Sequence, residues 1–157
     1  MIHRRDLVLL SHLRQDARMG LTAMSRSSNV PVSTIYDRLR TYVGTYVQRT
    51  TALLNFPQLG YHTRVNILLR VDPKCREGIR DHLVHALPVN SLFKINNGFD
   101  YFADCVFRDM HELEQFLDVL DQLGVKSKQV YFVIDDIKRE AFLSDPSLID
   151  CVQARAA

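Results

Sequence analysis

The sequence predicts an α+β protein in two parts, an N-terminal three-helix, winged-type helix-turn-helix followed by a ferredoxin-like βαββαβ domain. Three observations predict it. Apolar residues recur at helical spacing through residues 6–43, and from residue 63 they follow the order strand, helix, strand, strand, helix, strand. Charge divides near the same place: residues 1–50 carry eight arginines and no lysine against three aspartates, a net of +5, while residues 51–157 carry twelve bases against fifteen acids, a net of −3. A small arginine-rich part beside a mildly acidic one suits a nucleic-acid-binding head on a separate assembly or sensing body, because phosphate neutralisation supplies most non-specific affinity.

The first helix is expected from about Asp6 to Gln15, with Leu7, Leu10 and Leu13 at helical spacing, ending at the polar Asp16, Ala17 and Arg18. After Gly20, Thr22 is placed to cap a short second helix that carries Ala23 and Met24 inward and ends near Ser27. Ser28 and Asn29 form a tight turn, since asparagine tolerates the left-handed conformation. A third helix begins at about Val32, with Pro31 just ahead where its missing N–H costs nothing. Ile35, Leu39 and either Tyr42 or Val43 share its apolar face, and Ser33, Thr34, Tyr36, Asp37, Arg38, Arg40 and Thr41 form the other. Two short helices joined by a tight turn, the second with a polar arginine-bearing face, fit the helix-turn-helix arrangement.

Residues 1–46 are therefore expected to form the head. Residues 47–61 form an extended connector, with strand character at Val47, Thr50, Thr51 and Leu53 and turns at Pro57 and Gly60. Residues 62–140 form the second domain: a strand over Thr63–Val71, a helix over Lys74–Leu87, two strands flanking Asn96, Asn97 and Gly98, a helix over Met110–Leu123 and a strand over Gln129–Ile134. Leu68, Val71, Phe93, Ile95, Val106, Tyr131 and Val133 are expected to supply the sheet's apolar residues, and Ile79, Leu83, Phe116, Leu117 and Leu120 those of the helices. The last two strands carry apolar side chains on both faces, at Tyr101, Phe102, Val106 and Phe107 and at Val130, Tyr131, Phe132 and Val133. One layer of helices covers only one face, so the other is expected to pack on a partner subunit. Residues 141–157 are a C-terminal extension that either packs on a neighbouring subunit or stays disordered.

Composition narrows the function classes. At 157 residues the chain holds one domain or two very small ones, which excludes a large multidomain enzyme. With 46% hydrophobic and 24% charged residues it is an ordinary folded chain rather than a disordered one. No apolar run approaches the roughly 18–20 residues that cross a bilayer, and no apolar signal core follows Arg4, Arg5 and Asp6, so a soluble, cytoplasmic protein with no membrane association is expected. Cys75, Cys105 and Cys151 lack the pairing of a zinc site or a secreted disulfide framework and are expected as free thiols. His82 and His85, three apart, with Cys75 upstream, make at most half a metal site, so no metal is expected. The chain has no glycine-rich phosphate loop, nucleophile elbow, HExxH or paired catalytic carboxylates, and adjacent Asp135 and Asp136 on a strand would face opposite sides. Neither a cofactor nor an enzymatic activity is expected.

On the third helix, Ser33 and Thr34 are candidates for phosphates near the helix start, Tyr36 for a base edge or methyl, and Arg38 and Arg40 for phosphates or guanine. Asp37 repels phosphate, so it either pairs with Arg38 or Arg40 or accepts from a cytosine amino group. Arg4, Arg5, Arg14, Arg18, Arg26 and Arg49 are surface charges available for backbone contacts. Gly98 supplies a positive-φ position between strands, and Asp100 beside it can cap that turn.

The run Asp6, Leu7, Leu10, Leu13, Asp16–Arg18, Leu21, Thr22, Pro31, Ser33–Ile35 and Arg38–Arg40, followed by Thr51–Leu54 and Leu59–Tyr61, resembles the leucine-responsive regulator and AsnC family, the feast/famine regulators. Gly98, Phe99 and Asp100 sit where that family has a glycine, aromatic, aspartate signature, and Leu123, Gly124 and Val125 where its last strand is introduced. The resemblance spans about residues 4–140 across both parts. It departs at Pro31–Val32, where the family has Ser-Pro, and at Thr41–Tyr46, where the family is glutamate-rich. It implies a transcriptional regulator that binds double-stranded DNA through its helix-turn-helix and forms homodimers, often octamers, through the βαββαβ domain. It also implies an effector, commonly an amino acid, bound at subunit interfaces, which would place Asn97, Gly98, Asp100 and Tyr101 at the effector site, with Asp100 anchoring the ammonium. The alternative is an enzyme, because sirohaem decarboxylases share the architecture; their histidine- and arginine-rich stretch is here Phe93–Tyr101, without a histidine.

Overall fold

Helix α1 (Arg4–Gln15) is followed by α2 (Leu21–Ser28) and α3 (Val32–Tyr42) in the computed structural model, which describes residues 2–149. Leu9, Met24, Ile35 and Tyr42 form the centre they share, with Leu10, Leu13, Leu21 and Leu39 against it. Burying each such side chain contributes about 1.5–3 kcal/mol. Gly20, in extended conformation, precedes α2, and Thr22 is exposed within it, so the expected threonine cap is not formed. Asn29 takes the left-handed conformation at φ 54° and ends α2. The Ser25 hydroxyl donates to Val30 O at 2.6 Å across the turn, fixing the short step into α3. At the end of α3 the alternatives resolve: Tyr42 is buried and Val43 is exposed. Tyr42 O then accepts the N–H groups of Thr45, Tyr46 and Val47, and Val43 bridges Val47.

Residues 48–55 carry no regular structure, and a short 3-10 turn follows at Pro57–Leu59. Then come β1 (Thr63–Val71), a 3-10 turn at Pro73–Cys75, α4 (Arg76–His85), β2 (Val89–Lys94), β3 (Tyr101–Phe107), α5 (Met110–Gln122) and β4 (Val125–Phe132). The four strands are antiparallel in the order β2-β3-β1-β4, the ferredoxin-like arrangement. Asp72 caps the 3-10 turn by accepting Lys74 N–H at 3.0 Å, so α4 starts two residues later than expected. Asp109 caps α5 by accepting from Glu112 N–H, and the Glu112 side chain reaches back to accept from Arg108 N–H.

Strand parity corrects the expected sheet core. Val65, Ile67, Leu69 and Val71 of β1 and Tyr101, Ala103, Cys105 and Phe107 of β3 are buried against Ile79 and Leu83 of α4 and Leu113, Phe116 and Leu120 of α5. Leu68, Phe93, Val106 and Tyr131 lie on the opposite, open face, since their register partners are Phe102 and Gln129, Phe102, Arg64, and Asn66. Val133 and Ile95 fall outside the strands. The strands are apolar on both sides, so composition alone could not assign the faces. Strand β4 also begins four residues before the expected start. Its first half, Val125–Lys128, alternates with lysines, and the Lys128 amine pairs with Asp121 and donates to Leu117 O of α5.

The chain divides into two units, one comprising residues up to Ala52 and from Ile137 onward, the other Leu53–Asp136. This differs from the expected boundaries at residues 46, 61 and 140, because the segment after β4 rejoins the head. Residues 141–149, expected either on a neighbouring subunit or disordered, pack on α1 of their own chain: Arg14 Nε donates to Phe142 O at 3.2 Å, and the 3-10 turn Pro146–Leu148 touches α1. The rest of the extension, with Cys151, lies outside the described residues. Among the described residues no helix is long and apolar enough to cross a membrane.

Candidate nucleic-acid interface

The outer side of α3 is built by its own periodicity. With Ile35, Leu39 and Tyr42 inward, Ser33, Tyr36, Asp37 and Arg40 fall at i, i+3, i+4 and i+7 on the opposite stripe, and all four are exposed. Tyr36 is 53% exposed, and the Arg40 guanidinium carbon lies 6.0 Å from its ring centroid, so the cation and the ring stand together on one surface. Thr34, at the side of this stripe, is half-buried.

Arg38 does not belong to that stripe. One residue beyond Asp37 the helix has turned about 100°, and Arg38 pairs with Asp6 of α1, which also accepts from the Tyr42 hydroxyl at 2.6 Å. Burial alone would push the Asp6 carboxyl up, but the Tyr42 and Arg38 hydrogen bonds outweigh it and hold it below the usual carboxylate range. Burial and the adjacent Asp6 push the Tyr42 hydroxyl up. This trio bolts α1 to the end of α3. Sequence reading took Asp6 for a polar helix start and Arg38 for a DNA contact; the only signal was a charged residue at the edge of each apolar face. Beside the trio, His3, Arg4, Arg5 and Arg38 line a shallow basic cavity of about 360 Å³.

The strand-connecting loop before β3 is organised by one carboxylate. Asn97 at φ 64° and Gly98 at φ 90° turn the backbone, and Asp100 Oδ2 accepts Val71 N–H at 2.8 Å while Oδ1 accepts from the Arg76 guanidinium at 2.7 Å. Asp100 thus joins the loop to the end of β1 and the start of α4. Tyr101, expected at an effector surface, is instead buried with its ring in the sheet core, and its hydroxyl donates to Arg76 O at 3.3 Å. Asn97 and Gly98 are exposed.

The open sheet face carries Leu68, Phe93, Phe102 and Tyr131 and, in the same face, a polar centre. Asp104 is almost completely buried and accepts a two-pronged bond from Arg64 (2.8 and 3.0 Å) and another from Asn90 at 2.7 Å. On the helix side, burial, with the Asp104 charge next to it, pushes the Cys105 thiol up to about 12. His82 stacks on Phe116, and His85 Nδ1 lies 2.9 Å from Asp81 O. Among the described residues no group of three or more His, Cys, Asp or Glu side chains is placed to hold a metal ion.

The head is a helix-turn-helix and the second unit a ferredoxin-like sheet, an architecture that regulators and enzymes share, so the class is read from comparison with known proteins. The Lrp/AsnC ligand binding domain model matches residues 65–142. An HTH-type transcriptional regulator of Pyrococcus abyssi is 28% identical over 71% of this chain and 72% of its own length. Another, from Pyrococcus furiosus, is 24% identical over 86% and 93%. The fold is similar to that of a transcriptional regulator of Neisseria meningitidis solved as its L-Met complex, with a TM-score of 0.82 at 22% identity over 88% of this chain and 94% of that one. Residues 65–142 thus carry the Lrp/AsnC ligand binding domain, and the relatives and structural neighbours are transcriptional regulators of that kind. The family and these relatives are regulators rather than enzymes, which sets aside the decarboxylase alternative.

Proposed function

We propose that this regulator binds specific double-stranded DNA sequences by setting α3 into the major groove and that it does so as a homodimer joined through the open sheet face. The observation that carries the reading is the exposed stripe Ser33, Tyr36, Asp37 and Arg40, standing on a helix whose other side is locked into the head. Ser33 and half-buried Thr34 lie at the helix start for phosphate contact, Arg40 is free to reach phosphate or guanine, and Tyr36 offers a flat face to a thymine methyl. Asp37 then discriminates by accepting from cytosine, since Arg38 is engaged with Asp6. Arg38 supports the interface by holding α3 rather than by touching DNA.

Exposure of Phe93 and Tyr131, at 55% and 53%, supports pairing of the sheet unit with a second copy through this face, and octamers are a further step of the same proposal. An amino-acid effector is its other part. It would lie at the Asn97–Asp100 loop, where Arg76, oriented by Asp100, supplies a positive charge for a carboxylate. The L-Met complex of the Neisseria meningitidis regulator supports this choice of ligand class. The domains follow the same division, a DNA-binding head and a sheet unit for assembly and effector binding; the cytoplasm is where such a regulator would work.

The test is a gel-shift titration against DNA from upstream of the protein's own gene at two salt concentrations with unrelated competitor DNA. A competitor-resistant, salt-sensitive shift is expected. A shift erased by any competitor would overturn the sequence-specific reading.

A further inference from the structure

We propose that residues 137–149 are a strap that clasps α1 within the head, so that the seating of this segment sets the order of the head's first helix. Two observations carry it. First, α1 is buried on two sides. Leu9 and Leu13 face α2 and α3, whereas Leu7 and Ser11, both buried, lie on another side in line with Arg14. Arg14 is held by the strap through Phe142 O and an ion pair with Glu140, and the Pro146–Leu148 turn lies against the same helix. Second, the strap is a folded piece rather than a trailing end. Ile149 is fully buried, Asp145 caps the Pro146–Leu148 turn by accepting Ser147 N–H at 2.9 Å, and Glu140 and Leu143 sit at φ 47° and 59°. Side-chain-bearing residues keep that left-handed conformation only where surrounding packing imposes it.

Backbone amide hydrogen exchange on the full chain tests the proposal without reference to DNA. In the series Ile149→Val and Ile149→Ala, exchange across residues 4–15 is expected to quicken a few-fold and then about tenfold, with β1 and β3 unchanged. Arg14→Ala, which removes the bonds to Phe142 O and Glu140, is expected to quicken exchange in the same residues a few-fold. Unaltered α1 exchange in Ile149→Ala would overturn the strap.

Discussion

At the scale of single residues, the proposed DNA interface separates contact from support. Arg40 and Arg38 differ by two positions, yet one is exposed and the other is paired with Asp6. Arg40→Ala is expected to weaken DNA binding by about 1–3 kcal/mol with no change in melting temperature, measured by gel shift and thermal denaturation. Asp6→Asn should do the reverse of this in stability, costing the head about 1–3 kcal/mol because it weakens the acceptor shared by Tyr42 and Arg38. The Asp6 carboxyl sits below its unfolded value of about 3.9. Its contribution is therefore complete above that pH and is lost as pH falls through the lower folded value. Melting curves between pH 6 and 3 should show the wild-type head losing this increment on acidification, and Asp6→Asn should lack it. Cys105, with its thiol pushed up to about 12 by burial, should resist thiol-specific labelling at pH 8 until the chain is unfolded, while half-buried Cys75 reacts before it.

At the scale of elements, joints that look interchangeable in sequence differ in what occupies them. Gly124 ends α5 at φ 94°, and a Cβ there would lie 2.9 Å from Cys75 Sγ. Gly124→Ala should therefore destabilise the sheet unit by about 1–3 kcal/mol, read as a lower denaturation midpoint, whereas Gly78→Ala, with open space around it, should be neutral or stabilising. The elements themselves were largely legible. Helix α3 and strand β1 start where Pro31–Val32 and Thr63 place them, and the Asn97–Gly98 turn has the expected left-handed backbone. The faces of the sheet were not. Ile67 and Leu68 are equally apolar neighbours, and only pairing with Ala103 and Phe102 and the position of α4 and α5 send one inward and leave the other on the open side. The start of β4 was hidden for a related reason: its lysines carry no apolar signal, and their place is set by Asp72 and Asp121 across the fold.

At the scale of the whole molecule, the charge asymmetry and the open sheet face give two predictions. DNA affinity should fall steeply between low and physiological salt, with a log–log slope that becomes shallower by about 1 for each phosphate-contacting arginine removed. A Phe93→Asp, Tyr131→Asp pair, placed on exposed side chains, should leave the sheet unit folded but shift the oligomer to a smaller species in light scattering. An unchanged mass would overturn dimerisation through this face. What the sequence determined by itself was local: the spacing that makes each helix, the turns at Asn29 and Gly98, the order of strands and helices, and the concentration of arginine in the first fifty residues. These follow from periodicity and backbone preference, which act over a few residues. Only the tertiary structure decided that Arg38 pairs with Asp6 and Asp100 with Val71 and Arg76, that Tyr101 is core, which side of the sheet is open, and that the segment after β4 returns to the head. Each depends on a partner tens of residues away, as Asp6 is from Arg38 and Arg14 from Phe142, and a side chain's role is set by the group that reaches it once the chain has folded.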